Sequence, residues 1–295
     1  MKKFKLTDLP AVYKSFDEPH ADQFYTEWQQ VFNNITRVHG VVGMANSGRA
    51  ACETATGEYF VLIDGDAFPL PNTINNAVVE LPEGHTWHKF VCVQGVTKTV
   101  TPHGALAVFH RERGIELCNN AVKGTVHCNF QPGFVVVETD PLSIEISNQS
   151  PDIAYRAAYK DCALLLQDGV DPISYIPKQP LTQLAGKRQR ILPWLKYGAD
   201  EPHGLYSLYG AHKAVYDVFR GQAAHQRPQD VELFKQVNHN MPVIDSFDQL
   251  MNLIVPMYQD LSIDMTAPIQ YNHQCTDLIA RCFELQKQYD IMHVC

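Results

Sequence analysis

The chain has no apolar run near the ~18 residues that a membrane span requires, which argues against a helical membrane protein. Its first residues, Met1-Lys2-Lys3-Phe4-Lys5-Leu6, are basic but are not followed by an apolar core, so no signal peptide is expected. The eight cysteines are scattered, with no Cys-x-x-Cys pair and no zinc-like spacing. They read as reduced thiols of a cytoplasmic protein, packed as small apolar residues. The 13 histidines form no tract, and there is no internal repeat or low-complexity segment. Positive charge is also short. Twenty-four Lys and Arg stand against 32 Asp and Glu, giving a formal net charge of −8. That balance argues against broad non-specific nucleic-acid binding, although a local basic groove is compatible with it.

What remains is an ordinary globular composition, 45% hydrophobic over 295 residues, with room for one large domain and an appendage. The stretch Gly57-Glu58-Tyr59-Phe60-Val61-Leu62-Ile63-Asp64-Gly65-Asp66 organises the rest. Tyr59 to Ile63 is continuously apolar, as in a strand buried on both faces. It ends in two carboxylates separated by one glycine. At the carboxyl end of a strand in an open α/β sheet, Asp64 and Asp66 offer hard oxygen ligands to Mg²⁺ or Mn²⁺, ions that also hold substrate phosphates. Asp-Gly also suits a plain turn. Upstream, Ser47 reads as an N-cap and Gly57 as the residue closing a short helix rich in small side chains. Before these, residues 20–33 have helical spacing, and Thr36 to Met44 reads as a strand. The β-α-β alternation predicts a doubly wound sheet.

Further along, Trp87 to Gln94 and Phe134 to Glu138 read as strands, the second leading into Glu138, Thr139 and Asp140, and between them Gly104 to His110 returns to apolar character. These acids suit either a strand end at the site or a solvated turn. Ser150-Pro151-Asp152 is the clearest helix start, with a cap, a proline at the first position and an acid at the positive end of the dipole. Ala154, Ala158, Cys162 and Leu165 line one face of that helix. Arg156 and Lys160 share another, either as a solvated edge or turned toward phosphates. Lys187, Arg188 and Arg190 form a short basic cluster. In the helix from Leu205 to Phe219, His212 lies on the apolar stripe, as a buried structural histidine does. Residues 1–220 form one predicted domain and residues 221–295 a helical appendage.

The order of Arg49, an Ala-x-Gly-Glu-Tyr turn and Asp64-Gly65-Asp66 resembles the nucleotide-sugar-binding half of GT-A glycosyltransferases. Asn148 to Cys162 and Trp194 to Phe219 resemble segments of tailed-bacteriophage glycosyltransferases, some of which decorate modified pyrimidines in phage DNA. Lys160 departs from the more usual Arg there, and His203 from the more common Asn. The resemblance implies a GT-A, Rossmann-like, mostly parallel mixed sheet flanked by helices. It implies a UDP-sugar donor and Mn²⁺ or Mg²⁺ held by Asp64 and Asp66. Arg49 and Lys160 are expected at the phosphates, and His203 as a third metal ligand. Asp140, Asp152 and Arg156 are candidate catalytic residues, with retaining and inverting chemistry both open. The acceptor it implies is a hydroxylated or hydroxymethylated pyrimidine in DNA, in the host cytoplasm if phage-encoded; a surface polysaccharide is the alternative acceptor. A haloacid-dehalogenase-type phosphatase also uses Asp-x-Asp, but expects Thr or Val soon after it where this chain has Ala67-Phe68-Pro69. A binding module without turnover is the non-enzyme alternative.

Overall fold

A computed structural model describes residues 2–81, 87–101, 105–120, 134–137, 140–166, 191, 193–220, 222, 234–236, 238 and 240–261. The strands are β1 (Lys2–Lys5), β2 (Ala11–Ser15), β3 (Ile35–His39), β4 (Tyr59–Asp64), β5 (Ala67–Pro69), β6 (Val78–Leu81), β7 (Trp87–Phe90), β8 (Cys92–Gln94), β9 (Val100–Thr101), β10 (Leu106–His110), β11 (Phe134–Val137) and β12 (Ser143–Glu145). The helices are α1 (Ala21–Val31), α2 (Met44–Thr54), α3 (Pro71–Ile74), α4 (Arg111–Asn119), α5 (Pro151–Leu166), α6 (Gly204–Phe219) and α7 (Phe247–Asp260). The chain divides into two compact units. The first holds Met1–Gly95 and Val100–Ile146, the second Val96–Thr99 and Ser147–Cys295. Helices α5, α6 and α7 lie in the second unit.

The first unit is α/β. Its main sheet runs β11-β7-β10-β4-β2-β3, and three of its five neighbouring pairs (β2–β3, β2–β4 and β11–β7) are parallel. Alternation along β2 sets the two faces of this sheet. Val12 joins Ala51 and Cys52 of α2, with Phe60, Leu62, Ala107 and Phe109, in one apolar cluster. Its neighbour Tyr13 turns the other way, against Tyr25 of α1. Helices thus cover both faces, and β4 is buried throughout from Tyr59 to Ile63, as its apolar run predicts. Trp28 and Phe24 anchor α1 with no exposure, each burial contributing about 2–3 kcal/mol. A four-stranded sheet, β5-β12-β8-β9, and the β1–β6 pair complete the unit. Of the prolines after Asp66, Pro69 lies in β5, a short edge strand, and Pro71 takes the first position of α3.

Four local expectations are corrected. Strand β3 ends at His39 rather than Met44, because Gly40 and Gly43 adopt positive φ (73° and 88°) and turn the chain. Helix α2 therefore begins at Met44, and Ser47 is no cap. It lies one turn inside, its hydroxyl donating to the Met44 carbonyl at 3.1 Å. The helix closes at Ala55 in extended backbone, while Gly57 is packed so tightly that a Cβ would meet the Tyr59 carbonyl at 2.8 Å. The run Trp87 to Gln94 is two strands in different sheets, broken at Val91.

The second unit is helical. The Ser150 hydroxyl accepts from the Ile153 amide at 3.4 Å and caps α5 as expected. Ala154, Ala158 and Cys162 are fully buried against α6. Glycine sets how closely those helices approach: a Cβ on Gly210 would sit 2.2 Å from the Tyr155 carbonyl oxygen. His212 is the buried structural histidine expected. One ring nitrogen faces the Tyr258 hydroxyl at 2.7 Å, the other the Leu195 carbonyl at 3.2 Å. Among the described residues no helix is long and apolar enough to cross a membrane.

Candidate functional site

Asp64 closes β4, and β2 runs parallel beside it with Lys14 opposite Asp64 in register. The Lys14 ammonium lies 2.8 Å from an Asp64 carboxylate oxygen. Both side chains keep contact with solvent, at 21% and 43% exposure, so the pair sits at the rim rather than in the core. The turn after Asp64 is fixed through its backbone. The Tyr13 hydroxyl donates to the Gly65 carbonyl at 2.8 Å, the Ile146 amide to that of Asp66 at 2.8 Å, and the Trp28 indole to that of Ala67 at 2.7 Å. Three successive carbonyls are thus held from three elements, so the carboxylates of Asp64 and Asp66 project from a rigid base. Burial, with the Glu18 and Asp66 carboxylates, pushes the Tyr13 hydroxyl far up, so it remains a donor.

Glu18 completes this corner. Its carboxylate accepts from the Phe16 amide at 2.7 Å and lies where a Cβ on residue 65 would be, 2.6 Å away. The glycine between the two aspartates is therefore the space that Glu18 occupies. Beside it, at the carboxyl ends of β2 and β3, the Ser15 hydroxyl meets His39 Nδ1 at 2.9 Å and accepts from Arg37 Nε at 3.0 Å. The Arg37 guanidinium also pairs with Asp22 at 2.6 Å and lies 5.8 and 5.5 Å from the rings of Tyr13 and Tyr25. Its hydrogen bond and charge hold the Asp22 carboxyl below the usual range.

The remaining expected residues divide between the units. Arg49 lies on α2, half-exposed, 4.0 Å from Glu53 one turn on. Asp140 is exposed ahead of β12. In the second unit, Asp152 occupies the first turn of α5, accepts from the Ser150 hydroxyl at 2.5 Å and lies 4.0 Å from the Lys235 ammonium. Arg156 is partly buried on the same helix, and Lys160 is 3.9 Å from Asp161. His203 is exposed, in left-handed backbone (φ 53°), at the N-terminal boundary of α6. Glu138 and the cluster Lys187, Arg188 and Arg190 lie outside the described residues. Among the described residues no group of three His, Cys, Asp or Glu side chains that could hold a metal ion is found.

Sequence reasoning missed Lys14 and Glu18. The available signal for Lys14 was a single cation ending the apolar run Ala11-Val12-Tyr13. The glycines that carry part of the resemblance have a packing role. A Cβ on Gly204 would lie 1.5 Å from the Gly198 carbonyl oxygen, and Gly198 itself needs φ 93°. Asn148 donates to the Pro202 carbonyl at 2.8 Å, tying the segment before α5 to the loop that carries His203.

No family model matches the sequence, and no curated protein is similar enough to match it. Solved structures that the chain matches weakly include a glycosyltransferase involved in glycosylation of the major capsid of PBCV-1, at 12% identity and a TM-score of 0.32, covering 48% of this chain and 94% of that one. S. aureus TarS 1–349 in complex with UDP-GlcNAc is 14% identical, with a TM-score of 0.32 over 80% of this chain and 83% of that one. TarS 1–349 in a second structure gives 11% identity and a TM-score of 0.27, covering 78% and 90%. All three scores are low, and the functional reading rests on the site itself.

Proposed function

We propose that this chain is a GT-A glycosyltransferase that transfers a sugar from a UDP-sugar to a hydroxyl acceptor. The observation that carries this reading is the Asp64-Gly65-Asp66 turn, held rigidly at the carboxyl end of a central strand with Lys14 alongside. That is where open α/β sheets receive ligands. Asp64 and Asp66 are both partly exposed, with one Asp64 oxygen turned to Lys14; their hard oxygens are a donor set that fits Mg²⁺ or Mn²⁺, whose further positions are filled by phosphate and water. When bound, such an ion supplies charge stabilisation for the departing nucleoside diphosphate. The chain's own residues do the rest. Asp64 and Asp66 orient the diphosphate, Lys14 balances Asp64 and adds positive charge at the rim, and Tyr13 and Trp28 keep the turn from shifting.

The roles taken from the resemblance are separate proposals: Arg49, Arg156 and Lys160 toward phosphate, His203 as a ligand, and Asp140 or Asp152 as base. Asp152 accepts from the Ser150 hydroxyl in the first turn of α5. For the acceptor, the phage resemblance points to a hydroxymethylated pyrimidine in DNA. The net charge of −8 favours the second reading, a carbohydrate acceptor. The test is UDP release from a panel of UDP-sugars with Mn²⁺, without acceptor and then with glucan or DNA containing 5-hydroxymethylcytosine. Slow hydrolysis accelerated by one acceptor supports transfer. Binding with no hydrolysis and no transfer would leave a sugar-nucleotide-binding module, and formation of an aspartyl phosphate would replace the reading with a phosphatase.

A further inference from the structure

The interface between α2 and α4 is built from a reciprocal pair of glycines and cysteines. Gly48 and Cys52 are one turn apart on α2, and Gly114 and Cys118 one turn apart on α4. Each cysteine packs where the other helix has a glycine. A Cβ on Gly114 would lie 2.6 Å from Cys52 Sγ and 3.9 Å from its Cβ, and a Cβ on Gly48 would lie 3.0 Å from Cys118 Sγ. The absence of side chains at these two positions lets the helix backbones approach, and both thiols lie in the same helix contact. Arg111, at the start of α4, donates from Nε to the Cys52 carbonyl at 3.2 Å and fixes the register. Cys52 is 1% exposed and Cys118 8%.

We propose that Cys52 and Cys118 form a thiol-modification site, a dithiol that closes to an intramolecular disulfide in the presence of a small-molecule disulfide oxidant such as oxidised glutathione. A disulfide needs Cα atoms within roughly 7 Å and facing Cβ atoms, and the two glycines remove the side chains that would hold these helices apart. Cys118, the more exposed thiol, attacks first. Its thiolate forms a bond to one glutathione sulfur and displaces the other as glutathione thiolate. Cys52 then loses its proton, attacks the Cys118 sulfur and displaces the second glutathione. Two thiols are oxidised, one disulfide is reduced, and both protons end on released glutathione. The chemistry favours this order. Interaction with Cys52 holds the Cys118 thiol below its ordinary range against the effect of burial, and Lys14 and Arg49 add to it. The same interaction and burial push Cys52 up, so it acts second. The site is independent of the donor reading. Closing it would tie α2, which carries Arg49, to α4.

The test uses the full chain, reduced and then equilibrated with mixtures of reduced and oxidised glutathione. It is acid-quenched, alkylated in denaturant and digested without reductant for mass spectrometry. A peptide pair joined through Cys52 and Cys118, dominant over pairs involving the other six cysteines and lost on adding dithiothreitol, is the expected result. The oxidised chain should also unfold at higher denaturant, and Cys118→Ser should abolish both effects. The wild-type map decides the matter even if that variant does not fold. Full alkylation of Cys52 and Cys118 at the most oxidising ratio would overturn the proposal. So would a glutathione adduct on Cys118 that never passes to Cys52, or linkage spread evenly over the cysteines.

Discussion

Substituting Asp64 and Lys14 separates a carboxylate kept for chemistry from one kept for folding. The pair is 2.8 Å long, but its side chains are 21% and 43% exposed. At that exposure solvent screening leaves an ion pair worth about 0–1 kcal/mol. Asp64→Asn preserves shape and removes the charge, and Lys14→Met preserves the apolar stem. Each single variant and the double variant should lose no more than about 1 kcal/mol, a shift of about 2–4 °C in Tm for a chain of this size. Activity should respond on a different scale. Loss of one preorganised electrostatic contribution to a charged transition state costs roughly 100-fold or more. Urea denaturation of the four members of the cycle gives the coupling energy, and UDP release gives turnover. A coupling above about 3 kcal/mol with unchanged turnover would make the pair structural and refute the reasoning.

Gly210→Ala should destabilise the second unit by about 1–3 kcal/mol despite the higher helix propensity of alanine, because its methyl would sit 2.2 Å from the Tyr155 carbonyl oxygen. Equal or greater stability in urea would show that α5 and α6 part easily. His212 is pushed down to about 4 by burial, from 6.5. Its folded value is the lower, so the unfolded chain binds the extra proton first. Stability is fully present above about 6.5 and is lost as pH falls toward 4, at up to about 1.4 kcal/mol per pH unit. His212→Gln should flatten that part of the stability profile, and an unchanged slope would place the titrating group elsewhere. His203→Asn should leave the urea midpoint within about 0.5 kcal/mol, since the side chain is exposed and asparagine tolerates left-handed backbone. A larger loss would make His203 a structural residue.

Local chemistry was legible wherever it acted within a few residues. The apolar run of β4, the Ser150 cap and the place of His212 on an apolar stripe all follow from neighbouring positions in the sequence. Features set by distant partners were not legible. Lys14 meets Asp64 across 50 residues, and Glu18 fills the space left by Gly65, which no periodicity records. The start of α2 moved from Ser47 to Met44 because two glycines take positive φ, a freedom the sequence allows but does not require. The split of Trp87 to Gln94 into two sheets is invisible to a continuous apolar pattern. Gly204 and Gly210 read as family signatures, yet each marks where backbone atoms of another segment approach too closely for a side chain.

The most direct measurement of the donor site is calorimetric titration of UDP into the wild-type chain, Asp64→Asn and Asp66→Asn, each with Mn²⁺ and with chelator. If the turn after β4 holds the diphosphate, the wild-type chain binds UDP with Mn²⁺ and loses most of that affinity with chelator. Both variants then bind weakly and equally under the two conditions. UDP affinity that is the same in all three proteins, with or without Mn²⁺, would contradict the assignment of Asp64 and Asp66 to the donor site.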